Sequence, residues 1–481
     1  MNFVSWSFVI LFTVVMAGRL LFGRRKTGDA FIWFTIVAST VFIMWHVPAY
    51  LGIMLATITI DYTAARVMDG APRDWPWRKA VLGSSIAANL LLLGFFKYSD
   101  FALTSVARLL NLFGLSVQVP RLDLILPIGI SFYTFGSMSY TIDVYRGRLR
   151  AIRNFRDFYY FVAFFPHLVA GPIVRAGQFF YQFARPRRLR LVVFNRAAYL
   201  IIRGVFLKMV CADNIARAVN IYWNDAGTRK CIETPLAGAG YSGNLILLAL
   251  LFSAQIFCDF EGYTSIARGL AYLMGYRFPI NFRWPYIAST FSDFWQRWHI
   301  TLSTWLRDYL YVPLCGDLRR RIAVSRAYVS IFAVMLLAGL WHGAAITFVC
   351  WGAIHGTALV LERVLRMDSP NRRAGLRIGW FFVVQAAAML ALIFFRSQSM
   401  TAALGFIHNI ADLSFGPINA EIAVACLFLI PPVAMHLNGF LEERGIAPSM
   451  TRYTQAALAA AMFFGILTAH GESTEFLYFQ F

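Results

Sequence analysis

Apolar stretches about twenty residues long recur along this chain, and that recurrence restricts what it can fold into. They fall at 3–22, 30–47, 49–67, 80–98, 124–144, 158–174, 198–219, 243–267, 328–341, 345–365, 378–396, 421–440 and 453–469. In a bilayer every backbone polar group must be satisfied within the structure, so only helices and closed barrels cross it. The length and reach of these stretches suit helices, because barrel strands are shorter and alternate in polarity. Only 14% of the residues are charged, against roughly 25% in soluble domains, and the mean hydropathy is +0.60. The expected fold is an all-α polytopic membrane protein, some segments spanning and others re-entrant. No internal repeat or low-complexity linker divides it, so 1–481 is expected to form a single membrane domain.

The first stretch has no basic residues before it and no small-residue cleavage site. Arg24, Arg25 and Lys26 follow it instead. It therefore reads as a first membrane segment rather than a cleaved leader. The net charge of +20 is carried almost wholly by arginine, concentrated between apolar stretches at 24–26, 73–79, 146–156, 175–196, 319–326 and 366–377. Such loops face the cytoplasm and anionic lipid head groups, so membrane lipids rather than nucleic acid are the expected partners of this charge. The loops at 220–242 and 397–420 are poorer in Lys and Arg and are expected outside. Three crossings after Arg377 then leave the C-terminus outside, periplasmic for an inner-membrane protein.

The stretches 328–341 and 345–365 lie between two basic loops. They are expected to form a hairpin rooted in the cytoplasm, with Gly339-Leu340-Trp341-His342-Gly343 at its tip. An ionisable group inside the membrane marks a functional site or pathway by default, and imidazole can act as a base near neutral pH. The structural alternative for His342 is a neutral ring hydrogen-bonded at the turn. His355, thirteen residues on, reads as structural.

Residues 291–315 are expected to form one amphipathic helix at the cytoplasmic interface or dipping in re-entrantly. Phe294, Trp295, Trp298, Leu302, Trp305, Leu306 and Tyr309 share its apolar face. Asp293, Arg297, Thr304, Arg307 and Asp308 share the other. His299 falls on the border, one turn before Ser303, where it either anchors the helix or serves a site. Asp259 and Glu261, followed by Arg268, and Asp143 with Arg146, read as buried ion pairs or as the lining of a polar cavity.

Six cysteines at 211, 231, 258, 315, 350 and 426 show no metal-ligand spacing, and the histidines form no close-spaced pair, so no metal is expected. There is no Walker loop, GxSxG elbow or dinucleotide fingerprint. A transporter, a channel or a membrane-embedded transferase remains.

The run Asp293–Leu314, followed by Gly339–Ala344 and Trp351–Gly356, resembles the membrane-bound O-acyltransferase (MBOAT) family, most closely its bacterial alginate O-acetyltransferase branch. The stretches Leu126–Gly147, Phe164–Ala176, Cys211–Ala216 and Gly275–Phe282 are similar to the family's pattern too. The likeness covers about residues 120–365. It implies the MBOAT fold, with about 11–13 transmembrane or re-entrant helices. It also implies transfer of an acyl group, acetyl above all, from a cytoplasmic CoA or carrier-protein thioester to a hydroxyl, with no bound cofactor. His342 then matches the catalytic base and His299 the family's second histidine, while Trp341, Ser303, Asp259, Glu261 and His355 are candidates for a substrate channel.

Phe476–Phe481 resembles a Phe-x-Tyr-x-x-Phe tail of this class, which implies Tyr478 as a transient acyl acceptor. The class also implies as partners an extracytoplasmic SGNH-type acetyltransferase, an acyl carrier protein and polysaccharide export machinery. The chain departs from the family at Cys315-Gly316, where Gly-Gly is usual. It departs again at Phe260–Ser265, where Glu261 stands ahead of the family's carboxylate position. D-alanyl transfer and peptidoglycan or cellulose acylation are alternatives within the class. A polysaccharide or lipid transporter is the alternative outside it.

Overall fold

The computed structural model describes residues 2–22, 29–45, 47–120, 122, 124–127, 129–168, 171–183, 190–223, 242–316, 323–369, 373–414, 416–447, 451–472, 474, 476 and 477. Among them the secondary structure is helical throughout, as the apolar stretches require. The principal helices are α1 Trp6–Phe22, α2 Asp29–Met44, α3 Tyr50–Gly70, α4 Arg78–Leu112, α5 Ile130–Tyr145, α6 Phe155–Ala163, α7 Ala176–Phe183, α8 Leu191–Phe206, α9 Asp213–Tyr222 and α10 Ser242–Leu273. They continue with α11 Phe291–Arg297, α12 Ile300–Leu306, α13 Val324–His342, α14 Ile346–Val364, α15 Ala374–Arg396, α16 Met400–Ala411, α17 Ala420–Leu427, α18 Ile430–Glu443 and α19 Arg452–Ala469. Five of them, α3, α4, α10, α13 and α15, are long and apolar enough to cross a membrane, and α17 with α18 makes a sixth if that pair is one bent span. This is an all-α polytopic membrane fold.

Several apolar stretches differ from straight helices, each for a local reason. The stretch 158–174 is α6 followed by the short helix Phe165–Leu168; Pro166 cannot continue the preceding helix. Helix α5 starts only at Ile130, after Gly129 in the left-handed region at φ 73°. The stretch 421–440 bends by 41° between α17 and α18, where Pro431 and Pro432 open the second helix. In 198–219 the helix widens to π geometry over Leu207–Ala212, a local form that often carries a functional residue.

The residues group into two compact units, Met1–Ile201 with Ile266–Pro279, and Ile202–Ser265 with Ile280–Phe481. In the first, Asp61 of α3 is completely buried. It accepts hydrogen bonds from Ser85 (2.5 Å) and Asn89 (3.0 Å) of α4 and from Ser137 of α5. An intramembrane carboxylate is tolerated only with such partners, and here they tie three helices together. Asp143 of the same unit pairs with Arg148 at 3.6 Å. His167 is packed in an aromatic cluster, 5.6 Å from the Phe278 ring, in which Phe179 and Tyr276 stack at 4.8 Å.

The second unit contains the expected hairpin, α13 and α14, joined by Gly343–Ala345. Its two helices touch through glycines. A Cβ on Gly339 would lie 2.2 Å from the Phe348 carbonyl oxygen, and one on Gly352 would lie 2.4 Å from that of Met335. Small residues allow this approach, and in lipid, where no hydrophobic force drives helices together, the approach itself stabilises the pair. Gly339→Val is therefore expected to destabilise the protein by about 1–3 kcal/mol. Thermal unfolding in detergent checks this, and a wild-type melting temperature would show that the close contact is dispensable.

Candidate active site

The run 291–315 is not one helix. Helix α11 ends at Arg297, Trp298 is extended, and His299 takes a left-handed backbone at φ 42° before α12 begins. A π turn follows over Arg307–Tyr311. The apolar face of this run is still the covered one, since Phe294, Trp298, Leu302, Trp305, Leu306 and Tyr309 are all buried. The break changes the position of His299: it does not lie on an interfacial border but is 1% exposed, at the entry to α12. Left-handed backbone is costly for a side chain with a Cβ and persists only where its surroundings impose it.

Those surroundings are built from distant residues. Buried Glu362 of α14 accepts hydrogen bonds from the backbone N–H groups of Phe291 (2.5 Å) and Ser292 (2.9 Å) and from Trp380 Nε1 (3.2 Å). It thereby places a negative charge on the unsatisfied amides of the α11 N-terminus. At the other end Arg297 pairs with Asp293 at 2.6 Å and with Glu443 of α18 at 2.7 Å. With both ends of α11 held, the turn at Trp298–His299 is fixed. Asn281 holds it from below: its carbonyl accepts from Ile300 N–H at 2.8 Å, and its side-chain oxygen lies 3.1 Å from His299 Nδ1. Burial pushes the His299 imidazole down to about 3 from its usual 6.5, so the ring is neutral at physiological pH.

His299, His342 and His355 line one cavity of about 610 Å³ within the second unit, together with Asp259. That volume lies within the usual range of small-molecule sites. Its walls are otherwise mainly apolar and aromatic, including Phe260, Phe294, Trp298, Trp351 and Phe395. Leu250, Phe382 and Val433 line it while remaining exposed, so the cavity is not sealed. His342 is the last residue of α13. Its ring packs edge-on against Trp351 (5.0 Å) and Phe395 (5.3 Å). His355 lies between Trp351 (4.8 Å) and Trp295 (5.1 Å) and parallel to Phe294 (6.1 Å). Aromatic walls of this kind fix ring planes, and their low polarity strengthens electrostatic contacts made against them. Among the described residues no three His, Cys, Asp or Glu side chains gather as a metal set.

Of the other sequence candidates, Trp341 is buried with its ring 6.3 Å from that of His299, and it does not line the cavity. Ser303 donates to the carbonyls of Trp298 (3.2 Å) and His299 (3.1 Å), so it closes the turn rather than facing the cavity. Glu261 is paired with Arg203 and Ser265, away from the cavity, as the ion-pair reading required. Asp259 does both things: it lines the cavity and is 3.0 Å from Lys208 Nζ.

Lys208 belongs to a network that the sequence reading missed. Its ammonium sits in the π segment with no exposed surface, 2.8 Å from Asp213 and 3.1 Å from Thr474 Oγ1. Thr474 in turn donates to Asp213 at 2.5 Å, and the Leu477 N–H donates to Asp259 at 2.7 Å. Phe476 packs against Tyr263 (4.4 Å) and Phe260 (5.7 Å). Thr474, Phe476 and Leu477 are thereby held at the cavity wall, which Phe476 and Leu477 line. Tyr478 lies outside the described residues. The missed signal was a lysine inside the apolar stretch 198–219, which by the rule applied to His342 should have been flagged.

An apolar, helix-bounded cavity with three histidines on its wall, inside a membrane fold, fits transfer between substrates that must be kept from water. Residues 137–401 match the membrane-bound O-acyltransferase family, MBOAT. The chain is similar to a probable alginate O-acetylase, AlgI, of Pseudomonas putida, 33% identical over the whole of both chains. It is 37% identical to the probable alginate O-acetylase of Azotobacter vinelandii, over 84% of this chain and 76% of that one. It is 32% identical to a peptidoglycan O-acetyltransferase of Helicobacter pylori, over 80% and 74% of the two chains. The chain belongs to the membrane-bound O-acyltransferase family, and it is an O-acyltransferase of the membrane.

Lys208→Met would leave two buried carboxylates without their cation. The expected cost is about 3–5 kcal/mol, read as a lower melting temperature in detergent. Adding Asp259→Asn to that variant is expected to recover part of the loss, and strict additivity of the two changes would show that the residues are not coupled.

Proposed function

We propose that this protein is an inner-membrane O-acetyltransferase that passes an acetyl group from a cytoplasmic thioester, on CoA or an acyl carrier protein, toward an exported or envelope polysaccharide such as alginate. The observation that carries this reading is the convergence of His299, His342, Asp259 and the chain's own tail on one cavity. The names of the relatives, alginate and peptidoglycan O-acetylases, support an acetyl group and a glycan. D-alanyl, peptidoglycan and cellulose acyl transfer are the alternatives within the class.

In this mechanism His342 is the general base. It takes the proton of the acceptor hydroxyl as that oxygen attacks the thioester carbonyl carbon. The C–S bond then breaks, and the departing thiolate takes the proton back from the imidazolium, leaving an ester and a free thiol. His299 assists by accepting a hydrogen bond that orients the hydroxyl. His355 and the aromatic walls hold the reacting groups and exclude water, which would otherwise hydrolyse the thioester.

The acceptor in this reading is Tyr478. Leu477, the residue before it, is tied to Asp259, and Phe476 is seated between Phe260 and Tyr263. An acyl-tyrosine formed there is passed on to an extracytoplasmic SGNH-type transferase. The C-terminus is periplasmic in this scheme, and the polysaccharide export machinery supplies the glycan. The excess of Lys and Arg in the loops at 73–79 and 146–156 supports a cytoplasmic side for the donor.

His342→Ala is expected to lower acetyl transfer from labelled acetyl-CoA by at least about a hundredfold, with folding retained on size-exclusion chromatography. Normal turnover by that variant would end the catalytic assignment. Tyr478→Phe is expected to abolish polysaccharide acetylation in cells. Intact-mass analysis of the C-terminal peptide is expected to show one added acetyl group in the wild type. A fully active Tyr478→Phe strain with no adduct on the wild-type peptide removes the tyrosine step and leaves direct transfer.

A further inference from the structure

Asn281 is completely buried, and its side-chain oxygen receives three groups at once. The Thr301 backbone N–H lies at 3.2 Å, the Thr301 hydroxyl at 2.8 Å and His299 Nδ1 at 3.1 Å. A backbone N–H can only donate, so the atom it meets must be the amide oxygen, and the orientation of the Asn281 amide is settled. An amide oxygen has no proton to give. His299 Nδ1 must therefore carry the hydrogen, and the neutral ring keeps its lone pair on Nε2. Nε2 is buried and has no hydrogen-bond partner among the described residues, while His299 lines the cavity.

We infer that Asn281 is a positioning residue for acyl transfer, fixing His299 in the Nδ1–H tautomer so that Nε2 faces the cavity as a hydrogen-bond acceptor. This rests on the proposal that His299 serves the transfer, and it sharpens that role. In this tautomer His299 receives a proton or a hydrogen bond from the acceptor hydroxyl. In the other it would donate, and could only support the oxyanion of the tetrahedral intermediate. The backbone of Asn281 acts in the same direction. Its carbonyl holds the Ile300 N–H, so the residue that sets the tautomer also helps to hold the left-handed turn that places His299.

The test has two arms. In the first, protein labelled with ¹⁵N-histidine is reconstituted in lipid vesicles, and the His299 signals are assigned by their loss in His299→Gln. The expected spectrum shows a protonated Nδ1 and an unprotonated Nε2. The reverse pattern would overturn the inference whatever the activity. In the second, transfer from labelled acetyl-CoA is followed for Asn281→Ala and Asn281→Asp. Asn281→Ala is expected to lower kcat about tenfold to a hundredfold, with KM for acetyl-CoA within about twofold, since uniform binding is untouched. Asn281→Asp keeps the acceptor oxygen but sets an anion beside the Nδ1–H. That stabilises the imidazolium, so the acid limb of the kcat profile is expected to move to higher pH. Wild-type kcat in Asn281→Ala with an unmoved profile in Asn281→Asp overturns the positioning role even if both variants fold. The His299→Gln protein separates the two levels: normal transfer by it defeats the role of His299 itself, whereas a dead His299→Gln beside normal Asn281 variants defeats only the inference about Asn281.

Discussion

A lysine with no exposed atom, set between two aspartates inside a membrane protein, is the contact on which the site depends. Lys208, Asp213 and Asp259 come from the π segment, the start of α9 and the middle of α10. The desolvation of three charges is repaid only if each finds its partners at close range. That demand fixes the rotation of α10, and with it Asp259 and Phe260, against the neighbouring helix. It also leaves a carboxylate oxygen of Asp259 for the Leu477 N–H and a hydroxyl contact for Thr474. The same network that locks the helices therefore holds the tail at the cavity. The π widening at 207–212 is the local distortion that accompanies it.

Around the cavity, environment assigns each histidine its part. His355 is enclosed by Trp295, Trp351 and Phe294. His342 closes α13, in a hairpin whose helices come into backbone contact at Gly339 and Gly352. His299 owes its place to a break in a run whose apolar periodicity promised continuity, and to charges clamped at both ends of α11. A chain of polar contacts, from buried Glu362 and exposed Glu443 through α11 to Asn281, thus supports a single imidazole. In that network the Asn281 side-chain oxygen is fully engaged, while His299 Nε2 is left without a partner among the described residues.

Much of this was legible in the sequence. The apolar stretches gave the all-α membrane fold, because a bilayer leaves the backbone no other way to satisfy its polar groups. The hairpin at 328–365 followed from two basic flanks, and the order of motifs from 126 to 356 indicated the acyltransferase family. The errors had physical causes. Periodicity over 291–315 reports which side chains are buried, and it was right about those. It cannot report a reversal of the backbone at His299, which is imposed by Glu362, Asn281 and Glu443 from outside the run. Local order also gives no sign of the Lys208–Asp259 pair, whose members stand fifty-one positions apart in the chain.

By itself, then, the sequence determined the solvent, the helical class, the family and the identity of the histidines, because these depend on composition, length and local order. Tertiary structure alone decided that His299, His342 and His355 share one cavity while Ser303, Trp341 and Glu261 stand off it. It alone brought the tail to Asp259 and turned an amide oxygen toward His299 Nδ1. Those outcomes rest on pairings between segments far apart in the chain, and they are selected by the cost of leaving any buried charge or hydrogen-bonding group without a partner.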